Sequence, residues 1–127
     1  MTRITKTAIS AMQKDYVQQV IEAVISQLCA TGCHLRIEGS TVATTEPAPV
    51  PADSVMAGLL NATDSQHRIS IHEPITWVER GAVSINLAAS DPSTAIENYT
   101  RGFETVIGGV LAEAHALSIE LARVRAS

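Results

Sequence analysis

The stretch PSTAIENYTRGFETVIGGVLAEAHALSIELARVRAS, residues 92–127, sets the reading of the fold. Ile96, Phe103, Val110, Leu117 and Val124 stand seven apart along it. Their apolar companions drift from three positions later (Tyr99, Val106) to four later (Ile107, Ala114, Leu121). A straight helix loses about 20° per heptad, and the drift cancels that loss. The apolar stripe therefore keeps one direction, as docking on a sheet requires and a long supercoil does not. The spacing predicts one helix from about residue 92 to the C-terminus, capped by Asp91 with Pro92 at its first position.

The opposite side of that helix carries Gly108, Ala112 and Ala116, four apart, flanked by Thr105 and Ile119. Two mid-helix glycines, Gly108 and Gly109, cost about 1 kcal/mol each relative to Ala. Close packing of a second backbone offsets such a cost. The five residues Thr105, Gly108, Ala112, Ala116 and Ile119 are the expected contact between subunits; the first helix of the same chain is the alternative occupant.

Upstream, Ser10 and Gln13 fit a capping box, and Tyr16, Val17, Val20, Ile21, Val24, Ile25 and Leu28 share a helical face. Gly32 is a natural C-cap, giving a first helix over about 11–30. Residues 33–38 alternate, with Cys33, Leu35 and Ile37 to one side and His34, Arg36 and Glu38 to the other. Gly39-Ser40 can turn this strand into a partner over about 41–45. Prolines 47, 49 and 51 make 46–53 an extended connector, and a short helix is expected around 55–60. Residues 68–73 alternate again. A further strand over 75–79 is expected to turn at Arg80-Gly81 into a last strand over 82–87.

Short connections between strands argue for antiparallel pairing, and one apolar side per strand argues for helices on a single face. The expected fold is α+β: a two-layer sandwich, an antiparallel sheet of four to five strands with an N-terminal helix and a long C-terminal helix on one face. Residues 1–127 read as a single domain, with 1–9 a flexible N-terminus.

Charged residues make up 17% of the chain, against a usual ~25%, a shortfall on the order of ten charges. Burying weakly polar surface between copies resolves this; a compact monomer with a Ser/Thr-rich surface is the alternative. The net charge is −4, distributed as +1, −3 and −2 over residues 1–30, 31–90 and 91–127, and there are only four aromatics. Without a basic patch or stacking platforms, nucleic acid is not the expected partner. No signal segment is read at the start, and no continuous apolar run approaches a membrane span. Two cysteines are too few for a disulfide framework. The expectation is a cytoplasmic protein without membrane contact.

Catalytic constellations are missing from the reading. Cys29, Cys33 and His34 are the nearest thing to a metal cluster, but Cys33 and His34 point to opposite sides of a strand and no second ligand pair follows. His67 and His72, five apart on a strand, also fall on opposite faces. His115 lies on the flank of the long helix. No serine sits in a nucleophile elbow and no glycine-rich phosphate loop is present. No catalytic residue, metal or cofactor is expected.

Two functions remain. The leading expectation is a non-enzymatic homodimer or higher homo-oligomer, a binding or adaptor protein acting on a protein partner. The element order and acidic character resemble, in layout, the small dimeric chaperones of bacterial type III secretion. That resemblance implies a chaperone-like dimer engaging a protein. The alternative is a small-ligand-binding protein, sequestering or sensing, that uses a polar sheet face with Arg36, Arg68, His72, Trp77 and Arg80.

Overall fold

A computed structural model of the chain describes residues 6–38, 59, 65–73, 75–76 and 78–126. Helix α1 (Lys6–Ala30) leads into strand β1 (His34–Glu38), followed by β2 (Gln66–His72) and β3 (Glu79–Asn86). A 3-10 turn (Pro92–Thr94), strand β4 (Ile96–Tyr99) and helix α2 (Glu104–Ala126) complete the order. The strands lie in sequence order β1-β2-β3-β4, each pair antiparallel. The fold is the expected α+β arrangement, with a four-stranded antiparallel sheet, an N-terminal helix and a long C-terminal helix.

Alternation places the core. Leu35, Ile37, Ile69, Ile71, Val83 and Ile85 project from one face of the sheet and are buried. They share a cluster with Val17, Val20, Ile21, Val24, Ile25 and Leu28 of α1 and Ile107, Val110 and Ala114 of α2. Spacings of three and four put the α1 residues on one side of the helix. Both helices therefore cover the same sheet face.

The helices run antiparallel. Gln13 of α1 and Arg125 at the far end of α2 meet side chain to side chain. Gln13 Nε2 also donates to the Ala89 carbonyl at 3.1 Å, and Arg125 donates to the Ser90 carbonyl at 3.2 Å. These bonds clasp the last turn of α2 to α1 and to the chain after β3. They also engage Gln13 away from the expected capping box, and α1 begins at Lys6, a turn before the expected start. Gly32, at φ +84°, closes α1: Thr31 N–H reaches the Leu28 carbonyl and Gly32 N–H the Cys29 carbonyl.

The C-terminal stretch departs from expectation. Asp91 caps and Pro92 begins a helical turn, but the turn is 3-10 and ends at Thr94. Residues 96–99 then form a strand, and α2 starts only at Glu104. Two causes are visible. The edge of β3 has backbone groups that need partners, and β4 supplies them through the pairs Val83↔Tyr99, Ser84↔Asn98 and Ile85↔Ile96. Gly102, at φ +105°, then redirects the chain. Its N–H donates to Glu104 Oε2 at 2.7 Å, and the Phe103 carbonyl accepts from Val106 and Ile107 to open α2. The seven-residue series thus holds as a helical stripe only from Val110 onward.

The β2–β3 hairpin also turns elsewhere. Its closing bond runs from Glu73 N–H to the Val78 carbonyl at 2.9 Å, and Arg80-Gly81 lies inside β3 rather than at a turn. Leu59 is helical and buried, in the stretch where a short helix was expected. The expected strand at 41–45, the connector 46–53 and most of the N-terminal 1–9 lie outside the described residues.

Asp91 accepts from Ser93 N–H at 3.2 Å and from the Ser118 hydroxyl of α2. These bonds, Ser118 foremost, hold its carboxyl below the usual carboxylate range. A depressed folded-state value contributes stability above the unfolded pKa, lost as pH falls through the folded value. Asp91→Ala is expected to cost about 1 kcal/mol at neutral pH. Urea melts of both proteins will show the gap closing below about pH 4.

Candidate functional site

The sheet face turned away from the helices holds most of the polar side chains singled out in the sequence. On β1 and β2, His34 and His72 are register partners and both are buried, at 7% and 6% exposure. Ser70, opposite Arg36, has no exposure. Ser70 Oγ lies 3.3 Å from the Arg36 carbonyl oxygen, and His72 Nε2 lies 2.8 Å from Ser70 Oγ. The tautomer of His72 decides which of the two donates in this contact. With the Arg36 carbonyl, the pair is a buried polar contact between β1 and β2.

Arg68 of β2 makes a two-point bond to Glu79 of β3, at 3.2 and 3.0 Å. That bond, with Arg68's charge, holds the Glu79 carboxyl below the usual range despite some desolvation. By register the two residues sit four positions apart along the strands, at Ser84 and His72. Their side chains meet over the level of Ser70 and Ala82, both buried.

Arg80 falls outside this row. Ile71 pairs with Gly81 while His72 pairs with Glu79, so Arg80 is the extra residue of a bulge. It is turned to the hairpin end, where it forms an ion pair with Glu73. Of the five candidate ligand residues, Arg36, Arg68 and His72 thus share the outer face and Arg80 does not. Trp77 lies outside the described residues.

A depression of about 260 Å³ opens on the same face, lined by Arg68, Ala82, Ser84, Asn98, Tyr99 and Thr100. Its floor is Ala82, whose N–H donates to Thr100 Oγ1 at 2.9 Å. Asn98 and Thr100 were not legible as site residues, because residues 92–127 read as one helix. Only the pairing of β4 with β3 brings Asn98 beside Ser84.

The expected subunit contact lies on α2. Thr105, Ala112 and Ala116 are exposed, Gly108 is partly so, and Ile119 is 58% exposed. A methyl group added at Gly108 or Gly109 would meet nothing within 4 Å. Helix α1 therefore does not fill this face, which removes the intrachain alternative. By length and composition alone α2 is also apolar enough to cross a bilayer, which the absence of a long unbroken apolar run did not suggest. Glu113 and Glu120 interrupt the runs, while Val, Ile, Leu and Ala between them keep the average high. Packing of Ile107, Val110 and Ala114 in the core is a separate reason for an apolar helix.

Cys29 and Cys33 are half-buried and reduced, packed against the core, and burial pushes the Cys29 thiol up. A thiol so shifted stays protonated at neutral pH and is a poor nucleophile or ligand. The chain matches no protein-family model, no curated protein and no solved structure.

Proposed function

We propose that this protein is a non-enzymatic homo-oligomer, a dimer in its simplest form, that acts in the cytoplasm as a binding or adaptor protein for a protein partner. The observation that carries the reading is the outward face of α2. Only Ile107, Val110, Ala114 and Leu121 of its 23 residues are buried. Val106, Leu111 and Leu117 are half-buried against the core. The outer side carries Ala112, Ala116 and Ile119 exposed and Gly108 half-buried, beside exposed Glu113, His115 and Arg123. Helices pack at 8–10 Å, and small residues permit the closer end of that range.

The small-ligand alternative draws less support. Arg68 and Arg80 each face a carboxylate, Glu79 and Glu73, so the cationic character expected of an anion site is largely cancelled.

Light scattering at micromolar concentration tests the assembly. The expected mass is at least twice the 13.5 kDa of one chain. A strict monomer would remove the main support for this function.

A further inference from the structure

We infer that the depression on the outer sheet face is a docking subsite for an uncharged, extended segment of a partner protein, held through Ser84 and Asn98. This rests on the reading that the partner is a protein, and it assigns that partner a place on the molecule distinct from α2.

Arg68, Ser84 and Asn98 are direct partners across three neighbouring strands. Strands lie about 4.8 Å apart and directly paired residues share a face, so the three side chains stand in one row. Asn98 Oδ1 accepts from Tyr99 N–H at 2.9 Å. With the amide oxygen engaged, its NH₂ group is the part offered outward. The Ser84 hydroxyl, half-buried one strand over, makes no hydrogen bond within the described residues. The depression therefore presents the Asn98 NH₂ as a donor beside the Ser84 hydroxyl, which donates or accepts, and a backbone carbonyl or a carboxamide complements the pair.

Charge and size choose among acceptors. Glu79 takes two of the five N–H groups of Arg68 and cancels its charge. An added carboxylate would have to compete with Glu79, in a chain already at −4, so a neutral acceptor fits better than an anion. A volume of about 260 Å³ is below the roughly 300–1,000 Å³ of sites that enclose a whole small molecule. It suits one or two residues of a chain passing over the sheet.

The test is a ¹⁵N–¹H NMR titration of the full chain with N-acetyl-Ala-Gln-Ala-amide, with sodium acetate as the charged comparison. Shifts are expected to cluster at Ser84, Asn98, Tyr99 and Thr100, with weaker effects from acetate. Ser84→Ala and Asn98→Asp should each weaken the tripeptide about fivefold, and the spectra themselves report that the variants fold. Scattered or absent shifts with the tripeptide would overturn the inference, as would a wild-type preference for acetate. A dimer that ignores the tripeptide loses this site and keeps the assembly; a monomer that binds it does the reverse.

Discussion

Ala112→Arg is expected to reduce the particle mass to that of one chain while leaving the thermal transition of the monomer almost unchanged. Ala112 is exposed at the centre of the stripe, with Gly108 and Ala116 four residues to either side. In a lone chain an arginine there extends into water. Arg and Ala differ little in helix propensity, so the intrinsic stability should move by no more than about 0.5 kcal/mol. Between two helices the outcome is different. A guanidinium cannot fit where backbones approach at 8–10 Å, and an unpaired buried charge costs several kcal/mol. Each 1.4 kcal/mol is tenfold in an association constant, so weakening by about a thousandfold or more is expected. Light scattering and far-UV melting read the two effects separately. An unchanged mass would place any interface elsewhere on the molecule.

Gly81→Val should destabilise the fold by about 2–3 kcal/mol, although valine favours strands and glycine does not. At an ordinary strand position the exchange would help by up to about 1 kcal/mol. A Cβ on Gly81, however, would lie 2.5 Å from Phe103 Cε2 and 2.8 Å from Thr100 Cβ. Neither neighbour is free to retreat. Thr100 is tied to Ala82 in both directions, its N–H donating to the Ala82 carbonyl at 3.0 Å and its Oγ1 accepting from Ala82 N–H. The backbone of Phe103 is held by the first bonds of α2, and its half-buried ring is packed against the core. The variant therefore has to part the beginning of α2 from β3. Gly109→Ala is the contrasting case: its methyl meets nothing within 4 Å, and a gain of about 1 kcal/mol in monomer stability is expected. Urea denaturation of the two variants should move in opposite directions; a neutral Gly81→Val would mean that Phe103 and Thr100 yield more easily than their bonds suggest.

These two glycines show where a sequence can and cannot be read. Gly81, beside Arg80, has the look of a hairpin turn, and the turn was expected there. It is in fact the point where β3 is crossed by the start of α2, a contact between residues about twenty apart in the chain. Arg80 was grouped with Arg36 and Arg68 on the strength of charge, and a single bulge sends it to the hairpin end. The site suffered most from the C-terminal stretch. With residues 92–127 taken as one helix, Asn98 could not be a neighbour of Ser84, so the polar row was invisible. The mistaken spacing was real: Ile96 and Phe103 do fall seven apart, but one lies on a strand and the other in the turn before α2.

What the chain determined by itself is the set of elements with a one-sided apolar pattern. Val17 through Leu28 at spacings of three and four, and Leu35, Ile37, Ile69, Ile71, Val83 and Ile85 at spacings of two, define an inner face whatever the rest does, because each periodicity is a property of a few consecutive backbone angles. Tertiary structure decided what lies beyond that range. The open edge of β3 drew residues 96–99 into the sheet, Arg125 reached Gln13 across the two helices, and Glu79 reached along the strands to neutralise Arg68. Each of these is a partner chosen across dozens of residues, and local spacing carries no information about which distant group will need one.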